Sequence, residues 1–148
     1  MPDERRPDPR ARVPQRFLTQ EMAEAVVRAA QEKARERDVT MSVAVVDESG
    51  NLVLFVRGDT CSFITFETAR GKAVAAAGFR RPNREMNESY RSNPAFWAAI
   101  SGPLGMAPGP GGFPLTKDGV MIGGVGCGGG IRGEDDECAE AGAKAISS

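Results

Sequence analysis

The chain contains no histidine. That absence removes the commonest general base at neutral pH and the commonest metal and haem ligand. Acid–base chemistry therefore falls to carboxylates, lysine, tyrosine or thiols. Tyrosine and tryptophan occur once each, as Tyr90 and Trp97. The three cysteines, Cys61, Cys127 and Cys138, lie far apart and form no CxxC pair, which excludes a zinc ribbon and leaves no expected metal site. An odd cysteine count without an apolar leader predicts reduced thiols and a cytoplasmic location. Small packing residues are their simplest role. No apolar run approaches the ~20 residues that a membrane span requires. With 19 basic and 20 acidic side chains the net charge is -1, which gives no electrostatic reason to expect nucleic acid as a partner.

What is present suits one domain. The length of 148 residues and a hydrophobic fraction of 41% allow a single core. Residues 1–16 are rich in proline and arginine and are expected to form a flexible arm. Residues 17–148 are expected to be one domain. A helix starts at the N-cap Thr19, with Glu21 in its first turn, and runs to about Asp38. Met41 to Val46 and Leu52 to Val56 are β-branched runs joined by the turn residues Asp47 to Asn51, which predicts an antiparallel hairpin. A second helix is capped by Ser62 or Thr65 and ends near Phe79, with Gly71 at its middle marking either close packing against another element or a merely tolerated glycine. Arg84 to Ser92 and Ala95 to Ile100 predict short helices, followed by a Gly/Pro loop from Ser101 to Pro114. Leu115 to Val125 predicts a second hairpin around Asp118-Gly119, with an optional extra strand near Gly112 to Pro114. Gly126 to Gly130 then reads as a loop. A last helix opens at Glu134 or Asp135 and reaches Ile146, with Cys138, Ala141, Gly142 and Ala145 inward. The pattern is an α+β layer of antiparallel strands with flanking helices.

Several segments resemble the GlcG/HbpS family, also called heme-degrading-domain or PduO C-terminal-like proteins. They are LTQEMA (Leu18 to Ala23), AVVDESGNLVLFVR (Ala44 to Arg57), ARGKAVAAAGFRRP (Ala69 to Pro82), PGGFPL (Pro110 to Leu115), DGVMIGGVG (Asp118 to Gly126) and GGIRGEDDECAEAG (Gly129 to Gly142). The resemblance covers Leu18 to Ile146. It implies a sheet of about five antiparallel strands with helices on its faces. It also implies a homo-oligomer, a tetramer or octamer, and for some members haem binding. The sequence specifies no cofactor itself. Without histidine, haem iron would need Tyr90, Cys127, Cys61 or a methionine. Weak haem binding or none is expected, with a smaller ligand beside Lys72, Tyr90 and Gly126 to Gly130.

Four constellations carry candidate chemistry. Gly126 to Gly130, with Cys127, Gly128, Gly129 and Gly130, leads into the acidic helix start at Glu134, Asp135 and Asp136, where backbone amides serve either capping or an anionic ligand. Glu67, Arg70 and Lys72 share the second helix, as a surface ion pair or as ligand contacts. Tyr90, Phe96, Trp97 and Met106 flank the Gly/Pro loop and form either core or an apolar ligand wall. Cys127 is a candidate nucleophile whose amide surroundings would lower its pKa. The leading function is binding of a flat or anionic small molecule. The alternative is a cofactor-independent isomerase, lyase or cyclase, with Tyr90, Lys72 and Cys127 as candidate catalytic groups beside Asp47, Glu67 and Asp135. An accessory subunit without a small ligand is the third reading, and it predicts a filled pocket.

Overall fold

In the computed structural model, residues 17–147 are described. The expected arm at residues 1–16 lies outside them. Helix α1 spans Gln20–Glu36, and the Thr19 hydroxyl accepts the Met22 amide at 3.2 Å, the cap that the sequence predicts. Strands β1 (Ser42–Asp47) and β2 (Leu52–Val56) pair antiparallel. Their turn is closed by one Asp47 carboxylate oxygen, which accepts the Ser49 and Asn51 amides at 2.9 Å each. Helix α2 spans Thr65–Phe79. A 3₁₀ turn at Asn83–Met86 leads into α3 (Asn87–Ser92), so the single polar helix expected here is two pieces.

Helix α4 runs Pro94–Leu104, further than the expected Ala95 to Ile100. Its proline at the first position fits a helix start. Strand β3 (Gly112–Lys117) begins earlier than expected and absorbs the optional strand. The Gly/Pro loop therefore shrinks to residues 105–111. Strand β4 is Val120–Gly128 and α5 is Glu134–Lys144. On α5 the buried residues are Cys138, Ala139, Gly142 and Ala143, whereas Ala145, expected inward, is exposed beyond the helix end.

The sheet has four strands among the described residues, in the order β2-β1-β4-β3, against about five implied by the resemblance. Successive β1 side chains point to opposite faces. Val43 and Val45 join Val125, Cys127, Phe113 and Leu115 in the large core under α1 and α5. Ala44 and Val46 face α2 and meet Ala69, Ala73 and Ala77.

The α2 face explains a misread segment. Gly126 and Gly128 belong to β4, not to a loop. Across the sheet, Gly112 pairs with Gly126, which pairs with Ala44, while Pro114 pairs with Gly124 and then Val46. These small residues form a shallow trench in which α2 lies. A Cβ added at Gly126 would overlap the Ala69 carbonyl oxygen, and one at Gly124 would overlap that of Ala73. Glycine weakens an isolated strand, but here it admits a helix backbone. Gly71 plays the same part from the helix side: a Cβ there would stand 2.6 Å from the Ala107 amide nitrogen. None of the described helices is long and apolar enough to cross a membrane.

Candidate functional site

The topology gathers three segments at one end of the sheet. They are the end of α1 with the stretch that follows it, the β2–α2 loop and the β4–α5 loop. Between them lies a cleft of about 670 Å³. Arg35, Asp38, Val39 and Thr40 line it from the first segment, Thr60, Cys61, Ser62 and Ile64 from the second, Thr65 from the start of α2, and Gly129 and Ile131 from the third. A smaller hollow of about 280 Å³ adjoins it and shares Arg35, Val39 and Thr40.

Local bonding fixes each wall. The Thr40 and Thr60 hydroxyls bond to each other, and the Cys61 thiol lies 3.6 Å from the Thr40 hydroxyl. The Thr65 hydroxyl donates to the Ser62 carbonyl at 2.7 Å and turns the chain into α2. Behind it, the buried Ser42 hydroxyl lies 2.7 Å from the Thr65 hydroxyl and accepts the Gly58 amide. The third wall rests on two carboxylates. Glu134 accepts the Ile131 and Arg132 amides. Asp135 accepts the Gly130 amide at 2.7 Å through one oxygen, and its other oxygen meets Lys72 Nζ at 2.8 Å. Lys72 also donates to the Cys127 carbonyl at 2.9 Å. Bonds from backbone amides hold the Glu134 carboxyl below its ordinary value, with burial working weakly against them.

The candidates from sequence separate into three groups. Lys72, Cys127, Gly128, Gly129, Gly130 and Asp135 do come together, but as the support of the cleft's third wall. Of these only Gly129 lines the cleft. The Gly130 amide, a candidate for anion binding, is already taken by Asp135. Cys127 is fully buried, and burial pushes its thiol well above its ordinary value, the opposite of the lowering expected from nearby amides. Glu67 and Arg70 form an ion pair at 2.7 Å on a separate groove of about 330 Å³ that Met106 also lines. Tyr90 and Phe96 pack against Trp97, at centroid distances of 4.6 and 5.4 Å, and Phe79 joins them at 5.1 Å. Burial raises the Tyr90 hydroxyl above its ordinary value, which keeps the phenol protonated at neutral pH.

Sequence reasoning missed the cleft itself. Its signal was the run Thr60-Cys61-Ser62 between a strand and a helix, followed by Phe63 and Ile64, which stay 77% and 57% exposed. Ile131 in the third wall is 83% exposed. Among the described residues no group of three or more histidine, cysteine, aspartate or glutamate side chains is arranged to hold a metal ion.

Comparison with known proteins agrees with this architecture. The family model described as "Haem degrading protein HbpS-like" matches residues 18–144. Protein GlcG of Escherichia coli strain K12 is 34% identical over 110 residues, 74% of this chain and 80% of that protein. The corrinoid adenosyltransferase PduO of Salmonella typhimurium is 28% identical over 82% of this chain but only 37% of its own length. The crystal structure of HbpS superposes with a TM-score of 0.80 at 30% identity, covering 97% of this chain and 99% of that one. The crystal structure of a PduOC:heme complex gives 0.77 at 26% identity, covering 87% and 94%. A model matched along nearly the whole described chain, with a four-stranded α+β fold to go with it, places this protein in the HbpS-like family.

Proposed function

We propose that this protein binds a flat, partly apolar molecule carrying an anionic group, in the cleft between the end of α1, the β2–α2 loop and the β4–α5 loop. The observation that carries this reading is the cleft's size and lining. Its volume of about 670 Å³ falls in the ~300–1,000 Å³ range of small-ligand sites. Val39, Ile64 and Ile131 supply apolar walls, Arg35 a cation, and Thr40, Thr60, Ser62 and Cys61 convergent polar groups.

Haem belongs to this class of ligand, and the relatives support testing it first. The donor set fits in one way. Tyr90 sits in the aromatic cluster, while Cys127 and Cys138 are buried. Cys61 is the described cysteine that faces the cleft. A thiolate is an established haem donor. Cys61 would therefore hold the iron, Arg35 a propionate, and Ile64 and Ile131 the faces of the ring. Bound haem supplies a redox-active iron, and the chain's own residues supply binding and shielding from water. This reading replaces both the site expected from sequence beside Lys72 and Tyr90 and the expectation of weak haem binding or none.

The Lys72–Asp135 pair does not favour an acid–base enzyme. Its side chains are 13% and 19% exposed, and both Asp135 oxygens are bonded. Hemin titration of wild type and Cys61→Ala tests the proposal. Saturable one-to-one binding with a thiolate-type Soret band, lost in Cys61→Ala, is expected. Unsaturable binding, or equal binding to both proteins, overturns it.

A further inference from the structure

The third cleft wall is thin. Gly129 and Gly133 take positive φ values of 115° and 90°, and neither belongs to a strand or helix. Residues 129–131 have no core side chain of their own, because Ile131 points to solvent. What holds them is the pair of carboxylates that open α5, and one of these is tied to a lysine from a different element. Asp135 uses one oxygen for the Gly130 amide and the other for Lys72 Nζ. Lys72 comes from α2 and also anchors the Cys127 carbonyl, at the end of β4. The chain around this node is packed too closely to shift alone. A Cβ at Gly111 would stand 2.9 Å from Asp135 Cβ and 3.2 Å from the Lys72 stem, and a Cβ at Gly130 would stand 2.5 Å from Asp135 Oδ1.

We infer that Lys72 and Asp135 are the positioning residues of the cleft: their ion pair holds residues 129–131 against Cys61 and sets access to that thiol. The contact itself is visible, since a Cβ at Gly129 would stand 2.7 Å from Cys61 Sγ. This rests on the cleft being the binding site, and it assigns control of the site to two groups that do not line it. The pair is nearly buried, so removing one partner leaves the other charge without compensation. In Asp135→Asn the amide nitrogen would face the Lys72 donors, or else the Gly130 amide would lose its acceptor. In Lys72→Met the stem is kept while the charge and both of its bonds are lost.

The test reads Cys61 directly and needs no ligand. Cys127 and Cys138 are buried, with thiols pushed well up and up to about 12, so iodoacetamide applied to the native protein reports on Cys61. We expect Asp135→Asn and Lys72→Met to speed Cys61 alkylation at least about fivefold through local opening, with the fold intact by circular dichroism. The control is Arg37→Ala, which removes the exposed 2.6 Å pair between Arg37, the C-cap of α1, and Glu137 on α5, and leaves the Lys72–Asp135 pair in place. It should leave the alkylation rate within about twofold of wild type, since opening there is not coupled to the wall. Unchanged alkylation in both folded variants, or an equal rise in Arg37→Ala, overturns the inference. If neither variant folds, amide exchange of the wild type decides. Protection of the Gly130 amide supports the inference, and exchange at the rate of a free peptide overturns it. Hemin failing to bind wild type would defeat the proposed ligand and leave the alkylation result standing.

Discussion

Gly126→Ala tests the account of how the sheet accepts α2. An added methyl would overlap the Ala69 carbonyl oxygen and stand 2.5 Å from the Ala73 amide nitrogen. Both obstacles are helix backbone, so no rotamer change relieves them. Restoring an ordinary contact of about 3.4 Å requires α2 to retreat by about 1.4 Å, which in a close-packed interior separates Ala69, Ala73 and Ala77 from Ala44 and Val46. Overpacking commonly costs ~1–3 kcal/mol, and a clash with rigid backbone belongs at the upper end. A loss of about 3 kcal/mol is a large share of the ~5–15 kcal/mol that stabilises a domain. It corresponds to a fall in Tm of roughly 10 °C for a domain of this size. Urea unfolding followed by fluorescence of Trp97, the single tryptophan and only 5% exposed, measures the change. Gly78→Ala is the matched control. It lies on the same helix with no atom within 4 Å of an added Cβ, and it should stabilise by ~0.4–1 kcal/mol. If Gly126→Ala unfolds within ~0.5 kcal/mol of wild type, the range of ordinary surface substitutions, the trench is not what admits α2.

Other outcomes follow from particular contacts. Self-association is proposed through α4: residues 92–116 carry no charge, Phe96 and Leu104 are 53% and 56% exposed, and sedimentation should show a homo-oligomer at micromolar concentration, with a monomer refuting it. The Arg84 hydrogen bond first, against a smaller desolvation effect, holds the Glu140 carboxyl below its ordinary 4.5. A depressed folded value gives stability that is present above about pH 4.5 and lost as pH falls through the folded value, so Arg84→Ala should flatten the acid limb of the stability profile. The effect is modest because Arg84 is 43% exposed, and an unchanged acid limb would refute the assignment. The buried Tyr90 hydroxyl makes at most a weak contact with the Gly109 backbone, so Tyr90→Phe should leave stability within ~0.5 kcal/mol, and a loss above ~2 kcal/mol would show a bond worth keeping.

The elements were legible where periodicity and caps speak for themselves. Thr19, the Asp47 to Asn51 turn and the Asp118-Gly119 turn each set a boundary that the structure keeps. Gly71 in mid-helix allows either close packing or mere tolerance, and Ala107 against it decides for packing. Gly126 to Gly128 misled because glycine signals both a flexible loop and an unusually close helix, and only the pairing of Gly126 with Ala44 and Gly112 distinguishes them. Likewise Cys127 looked reactive from its neighbours in sequence, while its neighbours in space leave it fully buried. The cleft was invisible because its lining comes from three stretches that meet only through the β2-β1-β4 order.

Those failures share a physical cause that also bears on function. The glycines that looked like an anion-binding loop instead let α2 approach the sheet, and that approach delivers Lys72 to the Cys127 carbonyl and Asp135. The ion pair in turn holds Gly130, and with it the wall that faces Cys61. Of the residues singled out from sequence, Lys72, Cys127, Gly130 and Asp135 therefore lie behind the cleft wall, while Arg35, Thr40, Thr60, Cys61 and Ile131 line it. Cys61 is the described cysteine in that lining, with the Thr40 and Thr60 hydroxyls beside it. A substitution in the trench, such as Gly126→Ala, should therefore speed Cys61 alkylation as well as lower stability, because α2 carries the Lys72 that bonds Asp135 and the Cys127 carbonyl, and an unchanged alkylation rate in the folded variant would refute this coupling.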